Sequence, residues 1–165
     1  MPTLVLPARP RSPRSAFTFV EVMVVVVLIG IIAAIVIPRF GNVTDEARTS
    51  ALQSIVGGVR ASISSYRTSS VISGAASYPT LAQLTTPGTV VETALEVNPF
   101  TNVGGVHAVT QAQAAARAVI NPTQYGWNYY VDNSTSPPQA IFYANCTDVT
   151  TQTNSSGSAL TANQL

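Results

Sequence analysis

A chain of 165 residues has the length of one modest domain, yet 46% apolar against 9% charged residues is skewed for a soluble protein of this size. All eight basic residues are arginine, and removing the three at the start (Arg9, Arg11, Arg14) leaves a slight acidic excess, which excludes the electrostatic footprint of a nucleic-acid binder. A single cysteine, Cys146, excludes an intramolecular disulfide, and with only His107 beside it falls short of the usual ligand count of a metal site.

The skew is local. From Phe17 to Ile37 the only charged side chain is Glu21, and the remainder of the chain is small and polar, so the pattern predicts one membrane segment plus one soluble domain. As a helix this run would be about 31 Å long, the thickness of a bilayer's hydrocarbon core. A secretory signal carries only about 7–15 apolar residues before its small-residue cleavage site. Here the small pair, Ser15-Ala16, comes first. Cutting there removes a basic leader, residues 1–16, and leaves the spanning helix on the mature chain. Arg9, Arg11 and Arg14 before the run, against Arg39 and Arg48 after it, favour a cytoplasmic N-terminus.

The string Ser15-Ala16-Phe17-Thr18-Phe19-Val20-Glu21, followed by Val, Leu, Ile, Gly and Ala up to Pro38, resembles the prepilin N-terminal methylation motif of type IV pilins and type II secretion pseudopilins. The resemblance implies cleavage between Ala16 and Phe17 by a prepilin peptidase and methylation of the new Phe17 amine. Glu21 then becomes the fifth residue of the mature chain and Pro38 the twenty-second, both where the family places them. Ala16 departs from the glycine usual before the cut.

A carboxylate in hydrocarbon costs about 2.5–3.5 kcal/mol, so an intramembrane Glu calls for a partner. Within its own chain Glu21 has only the Phe17 ammonium nearby, one turn away and present only after processing. The resemblance implies that Glu21 pairs with the Phe17 amine of a neighbouring subunit. The bland alternative is a Glu that snorkels to the interface or is protonated. Gly30, Ala33 and Ala34 would let helices approach closely, or are simply ordinary membrane-helix composition.

Pro38 lacks an amide hydrogen, and Gly41-Asn42 adds a second weak spot, so the helix is expected to kink, or to unwind locally on assembly, between Pro38 and Asn42. Thr44-Asp45-Glu46 has the look of a helix start. Leu52, Ile55, Val56, Val59, Ile63 and Tyr66 then recur on one helical face, and Arg48, Gln53, Arg60 and Arg67 lie mostly off it, towards solvent or neighbouring subunits. Gly57-Gly58 weakens the middle of this amphipathic continuation, residues 39–70.

Residues 71–146 are expected to form a small globular head. Tyr78-Pro79-Thr80-Leu81-Ala82-Gln83-Leu84 predicts a short helical turn with Leu81 and Leu84 inward, and Asn98-Pro99-Phe100-Thr101-Asn102 a turn. Residues 126–131 and 140–145 are aromatic-rich and predict an antiparallel hairpin laid on the helix. Residues 108–120 are Ala-rich and fit a helix or a loop. The tail, 147–165, is rich in Thr, Ser, Asn and Gln and reads as disordered or as a loose surface cover. The whole is an α+β, pilin-like fold: a long N-terminal helix whose hydrophobic half, residues 17–38, protrudes and whose amphipathic half packs on a small antiparallel sheet.

No catalytic constellation is present. His107 after Gly104-Gly105 reads as an exposed loop residue and Cys146 as a small packed one. Trp127, Tyr129, Tyr130 and Tyr143 lack basic neighbours and read as core. The resemblance implies a C-terminal calcium loop, for which Asp132, Asn133 and Asp148 are the nearest oxygen donors, but carboxylates are too sparse and no cofactor is expected. The Asn-x-Ser/Thr triplets from Asn42, Asn133, Asn145 and Asn154 read as composition.

The expected function is that of a filament subunit of a type II secretion pseudopilus, with a type IV pilus pilin for adhesion, motility or DNA uptake as the alternative. The missing cysteine pair favours the pseudopilin. Implied partners are further copies, other pilins or pseudopilins, the prepilin peptidase, the inner-membrane assembly platform and, before assembly, lipid. A membrane-tethered binding module would need a basic patch, and an anchored enzyme a nucleophile, metal cluster or cofactor loop.

Overall fold

The computed structural model describes residues 17–75 and 77–165, with side chains described outside 38–42. The chain divides into two units between Phe40 and Gly41, and one α-helix, α1 (Phe19–Ile72), runs through both. The backbone is helical from Pro38 to Asn42, so this stretch is not unwound in the single chain. Thr44-Asp45-Glu46 likewise lies inside α1 and starts no new helix, a correction to the sequence reading. The helix ends at Ile72, where Ser73 and Gly74 turn the chain and Gly74 takes a positive φ of 86°.

In the first unit the stretch Phe19–Ile37 has a mean hydropathy of 3.2 and none of it is buried, so it is long and apolar enough to cross a membrane. Within it only Ala33 is half-buried, and the other side chains are exposed.

The second unit is α+β. Its part of α1 buries one stripe, Leu52, Val56, Val59 and Ile63, with Ile55 packed beside them. The stripe faces a three-stranded sheet ordered β1 (Val106–Ala108), β2 (Trp127–Asp132) and β3 (Gln139–Ala144). β2 and β3 are the expected antiparallel hairpin, with Trp127 opposite Ala144 and Asp132 opposite Gln139. β1, which composition did not reveal, adds in parallel to β2.

Side chains alternate across the pleat. Trp127, Tyr129, Phe142 and Ala144 join the α1 core with Leu84, Val106, Cys146 and Ala162. Tyr130 and Tyr143 instead meet Val109, Ala114, Ile120 and Ile141 on the far side. The sheet is therefore covered on both faces, which is why its strands carry aromatics at consecutive positions. Three of these rings place their polar tip on a carbonyl: Trp127 Nε1 donates to Glu96 (2.8 Å), Tyr129 to Pro79 (2.7 Å) and Tyr143 to Ala118 (2.9 Å).

The connections are short capped pieces. α2 (Leu81–Thr85) starts at a Thr80/Gln83 capping box and buries Leu84. The segment left open between helix and loop, residues 108–120, contains α3 (Gln111–Ala115), started by the same device with Thr110 and Gln113. A turn follows Asn98, whose side-chain oxygen accepts from the Phe100 amide at 3.0 Å.

The tail is neither disordered nor loose. It forms an antiparallel hairpin of β4 (Val149–Thr153) and β5 (Ala159–Thr161) and closes in a 3-10 turn, Ala162–Gln164, that buries Ala162 and Asn163. Polar side chains perform this docking. The Thr151 amide donates to buried Thr49 Oγ1 on α1 (3.2 Å), and Asn163 Nδ2 donates to the Arg117 carbonyl (2.7 Å).

Candidate functional site: the start of α1

The first turn of α1 is built by Thr18. Its hydroxyl accepts a hydrogen bond from the Glu21 amide at 3.2 Å and its carbonyl one from Val22, so Thr18 stands as the N-cap and Glu21 three residues inside. A carboxylate at that position faces the positive end of the helix dipole. Thr18-Phe19-Val20-Glu21 is a Thr-x-x-Glu capping sequence, a signal the sequence reading overlooked.

Glu21 and Phe17 share one face: together with Val22, Val25 and Val26 they line a shallow groove of about 270 Å³. Phe17 is 81% exposed. Ala16, on the other side of the expected cut, lies outside the described residues, as do Arg9, Arg11 and Arg14. Pro38 and Gly41, where a kink is expected, lie on helical backbone.

The other singled-out residues fall into the globular unit, mostly as structure. Asp132 at the end of β2 accepts from the Ser134 hydroxyl (2.6 Å) and amide (2.8 Å), and these bonds hold its carboxyl below the usual range. Asn133 clasps the Tyr78 backbone, accepting at 2.8 Å and donating at 2.9 Å. Asp148 is exposed, and its carbonyl accepts from the Ala162 amide. Among the described residues no group of three or more His, Cys, Asp and Glu is gathered as for a metal ion.

Cys146 is buried and free, and burial pushes its thiol up to about 11. His107 is not on an exposed loop: it sits half-buried on β1 with its ring 4.8 Å from that of Tyr125. Asn145 is a fully buried knot, bonding the backbone of Ile120 and Tyr125 and the amide of Asn128. Two of the arginines expected to face outward turn inward. Arg60 reaches the main-chain oxygens of Phe142 and Leu165, and Arg67 lies over the Tyr78 ring at 4.4 Å.

An exposed apolar helix with one carboxylate in its capped first turn, continued into an α+β unit, defines a pilin-like architecture. The chain also matches the prokaryotic N-terminal methylation motif over residues 11–37. Among curated relatives it is similar to type II secretion system core protein G of Pseudomonas aeruginosa, 35% identical over 57 residues, 34% of this chain and 40% of that protein. It is also similar to the type IV major fimbrial protein FimA of Dichelobacter nodosus, 40% identical over 53 residues, 32% of this chain and 34% of that protein. The chain thus spans about two fifths and one third of these relatives' lengths. No solved structure matches it.

Proposed function

We propose that this chain is the repeating subunit of a type II secretion pseudopilus, similar in role to a major pseudopilin. A prepilin peptidase cuts between Ala16 and Phe17, and the Phe17 amine is methylated. The apolar helix holds the subunit in the inner membrane, N-terminus cytoplasmic and globular unit periplasmic, until the assembly platform draws it into a filament. There the helices of many copies bury one another, and Glu21 of one copy neutralises the Phe17 amine of the next. The subunit carries out no catalysis.

The observation that carries this reading is the 19-residue stretch Phe19–Ile37, apolar and wholly unburied, with Glu21 held in its first turn by Thr18. Such a surface is stable only in lipid or against other copies of itself. The decisive measurement is mass spectrometry of the native protein, which should begin at a methylated Phe17. A chain beginning at Met1 would overturn the proposal.

A second reading is a type IV pilus pilin, favoured by the similarity to the fimbrial proteins. Against it stands the lone, buried Cys146, which leaves no disulfide to brace a C-terminal loop. Disruption of the gene separates the two, since loss of secretion marks a pseudopilus and loss of surface fibres a pilus.

A further inference from the structure

On the flank of the globular unit, between α1 and β3, lies a groove of about 270 Å³ bordered by Arg60, Ser64, Tyr78, Arg117 and Ile141. Two guanidinium groups share it. They are close enough that, after burial, the charge of Arg117 further lowers the pKa of Arg60. Among the described residues no Asp or Glu side chain pairs with either; Arg60 is held by the Leu165 oxygen at 2.7 Å, which leaves Arg117 as the charge in the groove without a counterpart.

Arg60 is partly engaged, since its Nε and Nη2 donate to the main-chain oxygens of Phe142 and Leu165. Arg117 is not: its Nη1 is buried with no hydrogen-bond acceptor among the described residues. A buried donor without an acceptor costs free energy, more when it is charged. The placement is nonetheless fixed. Arg117 holds a left-handed φ of 52°, its carbonyl is bound by Asn163 Nδ2 at 2.7 Å, and its guanidinium lies 5.2 Å from the centre of the Tyr143 ring.

We propose that Arg60 and Arg117 form a carboxylate-binding site, filled in the assembled filament by an acidic side chain of a second copy of this chain. A carboxylate matches the planar guanidinium fork and supplies both the missing acceptor and the missing charge. The same chain offers such groups: Asp45, Glu46, Glu92 and Glu96 are exposed and form no ion pair among the described residues. The choice of a second copy rests on the filament reading above.

The test uses the full chain in two arms. In detergent micelles, citrate is titrated at constant ionic strength as a free carboxylate probe, and thermal unfolding is followed for the natural chain and Arg117→Gln. A rise in Tm for the natural chain that the variant lacks is expected.

In cells, filament yield is scored for Arg117→Glu, alone and combined with Asp45→Arg, Glu46→Arg, Glu92→Arg or Glu96→Arg. Arg117→Glu should lower the yield about tenfold, the worth of one charge-assisted hydrogen bond, and one of the four combinations should restore it. Citrate binding with no restoring combination overturns the second copy as the source. Arg117 variants that match the natural chain in both arms overturn the site. If the natural chain forms no filament, the filament reading fails while the citrate arm still decides whether the site exists.

Discussion

Arg60 donates twice to the main-chain oxygen of Phe142, at 3.1 and 3.0 Å, joining α1 to β3 across 82 residues of sequence. A third bond from the same guanidinium, 2.7 Å long, holds the oxygen of Leu165. One side chain thus ties the helix, the hairpin and the C-terminal segment together. Arg60→Met keeps the stem that packs on the sheet and removes every donor, leaving two part-buried oxygens without their bonds. Bonds to charged groups contribute about 1.5–3 kcal/mol each, and partial exposure discounts this, so a total loss of about 2 kcal/mol is expected. Denaturant unfolding of the chain in micelles measures it; a change below about 0.5 kcal/mol, the ordinary range for surface substitutions, would show these bonds to be replaceable by water.

The role of Arg60 was not legible in the sequence, and the reason is physical. Helical periodicity assigns a face to the Cα position, whereas an arginine stem can cross from the flank of a helix to the sheet it covers. What the pattern does specify is elements with a strong period. The apolar stripe of α1 and the hairpin were visible because Leu52, Val56, Val59 and Ile63, and then Trp127, Tyr129 and Phe142, are large side chains that had to be buried. The tail was misjudged because its order comes from particular hydrogen bonds of Thr49, Thr150 and Asn163, which composition does not encode. Residues 108–120 carried a readable signal in Thr110-x-x-Gln113, masked by the alanines around it. At the start of α1, Phe17 and Glu21 stood out by type and spacing, while Thr18 and Arg117 needed geometry to be noticed.

Two glycines in the globular unit should respond to alanine in opposite directions. At Gly126 an added Cβ would sit 2.0 Å from the Val103 carbonyl oxygen, and the backbone cannot yield easily because Gly126 bonds Gly104 through its amide and Asn98 and Asn145 through its oxygen. Gly126→Ala is expected to cost about 3 kcal/mol, the upper range of overpacking. Gly58 lies on α1, where an added Cβ would meet nothing within 4 Å, so Gly58→Ala should gain up to about 1 kcal/mol of helix propensity. Thermal unfolding of the two variants beside the natural chain tests the contrast. Equal effects would remove close packing at Gly126 as the explanation.

Cys146 sets a pH dependence at the alkaline end. Burial, only partly offset by the Asn98 amide 3.4 Å from its sulfur, raises the thiol from an ordinary value of 9.0 to about 11. A pKa that is higher in the folded state means that the folded chain keeps its proton longer than the unfolded one. The stability this represents is fully present below pH 9.0 and is lost as pH rises from there towards about 11. Burial raises the hydroxyls of Tyr129 and Tyr143 as well, so the natural chain alone cannot isolate the cysteine. The difference in unfolding free energy between the natural chain and Cys146→Ala should be flat up to about pH 9 and then narrow in favour of the variant. A thiol reagent at neutral pH should label the chain only after denaturant is added, and rapid labelling of the folded chain would contradict the burial.

Glu21 has two candidate duties at the start of α1, and they predict different responses to one pair of substitutions. At the third position of a Thr-capped helix it suits the first turn, a place glutamine fills as well, the bond to Thr18 being made by the residue's backbone amide. As the countercharge to a Phe17 amine it must be ionised, which glutamine never is. Filament assembly on the proposed route therefore requires that Glu21→Gln and Glu21→Ala fail alike, both still cut between Ala16 and Phe17. Thr18→Val removes the cap hydroxyl at a cost of about 1 kcal/mol to the helix start while leaving the carboxylate in place, and should lower filament yield far less. Mass spectrometry of the processed N-terminus and the amount of filament per cell are the two readouts. If Glu21→Gln assembles normally while Thr18→Val does not, the carboxylate is there to build the helix and its charge carries no assembly signal.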